Sequence, residues 1–134
     1  HTGSWRQAGT MQQAYNLNLP LYARFIGAQP DGRLPASGSL CRVDAFDHVM
    51  LETVKQAEDG DGIILRLFEY SNWRGPVMLT FGQPVQWAVS CDLLERTQQN
   101  LTIESDLRTL SFYMKPYEVK TIRVKLAAAD QETV

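Results

Sequence analysis

The sequence has 134 residues, of which 44% are hydrophobic and 21% charged, and its formal net charge is −2. A chain of that length fits one compact domain, which can bury about 68% of its unfolded surface, and this composition is not that of a disordered or membrane-spanning chain. No apolar run approaches the roughly 18 residues that cross a bilayer, and acids and bases are interspersed without a basic stripe to neutralise phosphates, so neither membrane nor nucleic acid is expected as a partner.

The chain opens on His1-Thr2-Gly3-Ser4-Trp5, with neither an initiator methionine nor the pattern of a signal peptide, and reads as a cut within a longer chain. Residues 1–39 show few regular alternations. Tyr15-Asn16-Leu17-Asn18-Leu19-Pro20-Leu21-Tyr22 is apolar enough to lie against a sheet as an extended arm, and Gly27 to Gly38 has the composition of an exposed loop. Short β-rich stretches then recur about every ten residues, the habit of a sandwich or barrel. They are predicted near Leu40–Val43, Val49–Gln56, Gly62–Glu69, Pro76–Phe81, Val85–Cys91, Leu101–Ser105, Leu107–Met114 and Val119–Leu126.

Between two of these strands lies Glu58-Asp59-Gly60-Asp61-Gly62, whose glycines supply the positive φ of a tight hairpin. In the next strand, Ile63 to Phe68 is apolar on both sides except at Arg66. That predicts a central strand covered on both faces, with a carboxylate or carbonyl partner for Arg66. In the last strand Ile122, Val124 and Leu126 point one way and Thr121, Arg123 and Lys125 the other, so one face should pack and the other be wet. The tail 127–134 is expected to fray or form weak helix. The fold class that follows is all-β, an antiparallel β-sandwich of about eight strands with an extended N-terminal arm: 1–39 arm and loop, 40–126 sandwich, 127–134 tail, in a single domain.

Few residues could carry chemistry. A nucleophile needs a base within hydrogen-bond reach, and only His1 and His48 are available; His48 reads as a surface or edge histidine. The acid pairs Asp44 with Asp47, Asp92 with Glu95 and Glu104 with Asp106 sit at turn-like positions and read as caps or solvated acids. The Glu58-Asp59-Gly60-Asp61 cluster could offer oxygens to calcium, but it lacks the spaced acidic series of a calcium loop, and a plain turn is preferred. Cys41 and Cys91 are too few for a disulfide framework or zinc site and read as two buried free thiols, which suits a reducing compartment; the sequon Asn100-Leu101-Thr102 points the other way. Tyr70, Trp73 and Trp87 are the candidates for carbohydrate contact, because flat aromatic faces can stack on sugar rings. No catalytic and no metal-binding residue is assigned.

Several segments together resemble the end of the family 38 glycoside hydrolases, the zinc-dependent retaining α-mannosidases. These are His1 to Arg6 with Ala14 to Leu21; the strand, hairpin and strand from Val49 to Glu69; Cys91-Asp92-Leu93-Leu94-Glu95-Arg96; and Lys115-Pro116-Tyr117-Glu118-Val119-Lys120-Thr121-Ile122-Arg123-Val124. The resemblance implies a C-terminal β domain that is inactive alone and supports the catalytic domain of the same parent chain, with a carbohydrate-binding module as the alternative. It places zinc in the catalytic domain and no cofactor in this segment. A homo-oligomer and a mannoside ligand are further partner candidates, and a cytoplasmic, bacterial-type setting is the one expected.

Overall fold

The computed structural model of the chain describes residues 3–28, 31–32, 37–45 and 47–127. His1, parts of the predicted loop (29–30 and 33–36) and the tail 128–134 lie outside the described residues. Two compact units make up the chain, His1–Ser37 and Gly38–Val134.

In the first unit, Thr10–Asn18 forms a helix, α1, over part of the segment expected to be extended. Met11, Gln12, Gln13, Ala14 and Leu17 favour helix individually, and local propensity decides the matter even though the apolar spacing gives no strong stripe. Gly9, in the left-handed region at φ 61°, starts it, and the Leu19 N–H closes the last turn on the Tyr15 carbonyl at 2.8 Å. Pro20 then bars continuation. Ahead of the helix, the Ser4 N–H donates to Gln7 Oε1 (2.9 Å) and the Gln7 N–H to Ser4 Oγ (3.3 Å). No residue of α1 is buried.

The second unit is a sandwich of two antiparallel sheets. Its strands are β1 (Cys41–Val43), β2 (Val49–Gln56), β3 (Ile63–Glu69), β4 (Gly75–Phe81), β5 (Val85–Cys91), β6 (Thr97–Asn100), β7 (Thr102–Ile103), β8 (Thr109–Met114) and β9 (Val119–Leu126). One sheet has the order β1-β4-β8-β7 and the other β2-β3-β9-β5-β6. Between them lies a core that includes Leu65, Leu67, Leu79, Leu110, Ile122 and Val124, all at 0% exposure. Each such side chain contributes about 1.5–3 kcal/mol of transfer free energy.

All eight predicted strands are present. The ninth, β6, escapes a reading of side-chain pattern because all four of its residues, Thr97-Gln98-Gln99-Asn100, are exposed; it is held by pairing with β5 alone. The hairpin is where the glycines place it, with Gly60 at φ 80° and Gly62 at φ 97°. At Gly62 a Cβ would also meet the Val124 carbonyl oxygen at 2.6 Å, so the crossing over β9 admits no side chain.

β3 is central, between β2 and β9. Its covering on the outer side explains one departure from expectation on β9. There, Ile122 and Val124 enter the core as alternation predicts, but the opposite face is wet only toward the strand's end: Thr121 is 2% exposed and the Arg123 side chain 13%, against 39% for Lys125. The hairpin between β2 and β3 and the loop between β5 and β6 fold across that face and roof it.

Candidate functional site

The one charged residue buried among those described is Glu69, the last residue of β3, at 2% exposure. Its Oε1 accepts the N–H of Ser71 (2.7 Å), the hydroxyl of Ser71 (2.8 Å) and the N–H of Trp73 (2.9 Å). Oε2 accepts the N–H of Asn72 (3.1 Å) and of Tyr117 (2.8 Å). Burial is the largest single influence on its titration and opposes ionisation; the hydrogen bonds from Tyr117, Trp73 and Ser71 together outweigh it and hold the carboxyl below its ordinary value of 4.5. The chain therefore turns from β3 into β4 around an ionised carboxylate, with Asn72 in the left-handed region at φ 60°.

His48 extends this cluster. Its Nδ1 lies 2.8 Å from Ser71 Oγ, and its ring stacks on Trp73 at 4.9 Å with 5° between planes. Because the single hydroxyl proton of Ser71 goes to Glu69, His48 Nδ1–H is the donor to Ser71. So His48, half-buried at the head of the edge strand β2, has organised partners. The order of the bonds runs His48 to Ser71 to Glu69. A serine engaged by both neighbours in this sense is a structural relay, whereas a nucleophile would give its proton to the histidine.

A second polar cluster roofs the sheet at the other end of β3. Arg123 Nη2 bonds both oxygens of Asp59 at 2.7 Å, and its Nε donates to the Asp61 carbonyl at 2.8 Å. Lys125 pairs with Asp61 at 2.7 Å. Lys55 pairs with Glu58 and, at 2.7 Å, with Glu95, which also accepts the Glu58 N–H at 2.9 Å. The hairpin acids Glu58, Asp59 and Asp61 are thus neutralised by three cations. Of the remaining acids, Asp92 accepts the N–H groups of Leu94 and Arg96 and Asp106 those of Arg108 and Thr109, each within a turn, whereas Asp44 accepts the Met78 N–H (2.7 Å) and ties the end of β1 to β4.

The three candidate aromatics do not converge. Tyr70 and Trp73 follow β3, while Trp87, on β5, lies near Gly62 before it. The length of β3, about 20 Å for seven residues, separates the two places. All three are half-buried. Trp73 rests on His48 and on Gly75, where a Cβ would meet the ring at 2.3 Å, and Arg123 lies over Trp87 at 5.7 Å. Burial, then the charges of Asp47 and Glu69, push the Tyr70 phenol up, so it stays protonated at neutral pH.

Zinc does not fit the described residues. None of their His, Cys, Asp and Glu side chains form a group of three or more that could hold a metal ion. Cys41 and Cys91 are both free and stand on different sheets. No helix among the described residues is long and apolar enough to cross a membrane. Glu69 as an organising centre, and the roofing function of the hairpin acids, were not foreseen. The available signal was a glutamate closing a strand just before the turn residues Ser71-Asn72.

Taken together, the fold and its polar clusters define a β-sandwich domain whose described acids hold loops in place. The family model for the C-terminal beta sandwich domain of glycosyl hydrolases family 38 matches residues 48–122, and the chain belongs to that family. It is similar to Alpha-mannosidase 2C1 of Homo sapiens, 37% identical over 131 residues, and to Alpha-mannosidase 2C1 of Mus musculus, 34% identical over 132. Each comparison covers 94% of this chain but only 12% of the relative. Both relatives are mammalian and lend nothing to a bacterial-type setting.

Proposed function

We propose that the chain is the non-catalytic C-terminal β domain of a zinc-dependent, retaining α-mannosidase, and that it supports the catalytic domain of the same parent chain. The observation that carries this reading is the family match over 48–122, to a domain defined as C-terminal in that family. The site chemistry agrees with it. A retaining glycosidase needs two carboxyl groups about 5–5.5 Å apart facing one bond. Here Glu69 spends its oxygens on five hydrogen bonds, and Asp59, Asp61 and Glu95 are paired with cations. The zinc and the reacting carboxylates belong, on this reading, to the catalytic domain. Two free thiols suit a cytoplasmic parent, and a second copy of the chain is the further partner where the parent is a homo-oligomer. The test is direct: the purified chain with zinc and an aryl α-mannoside should release no aglycone, while the full-length parent should. Turnover by the chain alone overturns the assignment.

The second reading is a carbohydrate-binding module, favoured by the partial exposure of Tyr70, Trp87 and Trp73, the last of which also packs against the core. Titration with mannose and mannobiose, followed by tryptophan fluorescence, decides it. A saturable change that is lost in Trp87→Ala or Trp73→Ala supports a module; a flat titration removes it.

A further inference from the structure

Arg66 differs from the other cations of the five-stranded sheet. Lys55, Lys120, Arg123 and Lys125 each meet a carboxylate at 2.7–2.8 Å. Arg66, in the middle of β3 on the roofed face, reaches the Leu93 carbonyl from Nη2 at 3.5 Å, the outer limit of a hydrogen bond. Its Nε is buried with no hydrogen-bond partner among the described residues. A guanidinium has five N–H donors and cannot shed its charge, so with Nε enclosed the terminal nitrogens keep donors to offer an acceptor. The residue as a whole is only half-buried, leaving part of it open to solvent.

Above Arg66 the loop between β5 and β6 is rigidly built. Asp92 Oδ1 accepts the N–H groups of Leu94 (2.9 Å) and Arg96 (3.0 Å), and Asp92 Oδ2 pairs with Arg96 Nε at 2.7 Å. Glu95, in the left-handed region at φ 64°, turns inward to Lys55. This arrangement drives Leu93 and Leu94 outward, 64% and 73% exposed. Two adjacent leucines held away from the core by a preformed turn lose little further entropy on being covered.

We propose that Arg66 and the Leu93-Leu94 tip form one docking contact for an apolar patch bearing a carboxylate on another domain of the parent chain. The proposal rests on the reading of the chain as one domain of a larger α-mannosidase. Charge complementarity selects the occupant: a carboxylate matches the planar fork of arginine with two parallel bonds, and the leucines exclude water from that pair. Nε itself is enclosed, so an incoming carboxylate meets the terminal nitrogens of Arg66, the part of the half-buried side chain left open to solvent.

The experiment uses the full-length parent carrying Arg66→Lys, treated with a carbodiimide that joins amines to carboxylates in direct contact, and read by peptide mass spectrometry. The pairs Lys55 with Glu95 and Lys125 with Asp61 are internal controls for folding and reactivity. The expected result is a cross-link from position 66 to an Asp or Glu outside this chain. Control cross-links without one from position 66, or with one only to a carboxylate of this chain, overturn the proposal. A second variant, full-length Arg66→Lys that also carries Leu93→Ser and Leu94→Ser, keeps the control cross-links and loses the one from position 66; an undiminished cross-link from position 66 also overturns the proposal. Mannosidase activity of the unmodified parent is measured separately, so an active parent lacking the cross-link removes the docking contact and leaves the functional reading intact.

Discussion

Glu69 and Tyr117 are 48 residues apart, and Glu69 Oε2 accepts the Tyr117 N–H at 2.8 Å. That bond joins the turn after β3 to the turn before β9, while the other oxygen orders Ser71 and Trp73. One buried carboxylate therefore fixes two reversals at the same end of the sandwich, and the positive φ of Asn72 (60°) and Tyr117 (57°) is sustained by it.

Replacing Glu69 by Ala strips five donors of their acceptor, and the expected loss is about 3–5 kcal/mol, the range for breaking a buried charged network. Glu69→Gln, with one acceptor oxygen left and no charge, should fall between it and the unmodified chain. Urea unfolding monitored by tryptophan fluorescence measures both.

The same residue sets an acid limit. Its carboxyl in the folded chain titrates below the ordinary 4.5, so the unfolded chain binds the proton first as pH falls. The stabilisation is complete above about pH 4.5 and is lost as pH drops through the folded-state value. Melting temperature against pH should accordingly decline below that point in the unmodified chain and decline less steeply in Glu69→Gln. Parallel curves would assign the acid sensitivity to other carboxyls.

Glycine is required at two sites for different reasons. Gly62→Ala meets the Val124 carbonyl oxygen at 2.6 Å with φ at 97°, and should cost more than about 1 kcal/mol. Gly75→Ala meets the Trp73 ring at 2.3 Å and should displace it from His48, at a cost of about 1–3 kcal/mol. A changed chemical shift of the His48 ring protons in the second variant and not the first would separate a moved Trp73 indole from backbone strain at Gly62.

Much of this architecture is legible in the sequence because strands announce themselves through alternation. Val77, Leu79 and Phe81 alternate with Pro76, Met78 and Thr80, and β4 buries one set and exposes the other. Gly60 and Gly62 mark the hairpin because few other residues accept their φ. The roof over β9 is invisible to this reading, since Arg123 and Asp59 look like separate surface charges until the hairpin folds back to join them. Glu69 is hidden for the same reason: its partners are mostly backbone N–H groups, which carry no sequence signal. The helix Thr10–Asn18 has no long sequence signal because its apolar face, Met11, Ala14 and Tyr15, spans little more than one turn and none of its residues is buried.

Both thiols should be slow toward a disulfide reagent at neutral pH. Burial raises the Cys41 thiol, and burial above all raises Cys91 despite the nearby positive charge of Arg123, so little thiolate is present on either. Titration with an aromatic disulfide should release both equivalents promptly in denaturant and slowly in native buffer, Cys91 being the more enclosed.

The hairpin acids give the last test. Asp59 is held below its ordinary 3.8 first by the Asp61 N–H and then by Arg123, and Asp61 is shared between Arg123 and Lys125. Calcium would have to displace both cations to collect six or more oxygens. Adding calcium or a chelator should therefore leave the melting temperature unchanged. Arg123→Gln frees Asp59 and removes the cation over Trp87, so the amides of residues 57–62 should exchange faster with solvent and the Trp87 emission should shift. If calcium protects those amides in Arg123→Gln and not in the unmodified chain, then Arg123 is what keeps the site closed to metal; protection in the unmodified chain would show instead that the hairpin binds calcium despite its ion pairs.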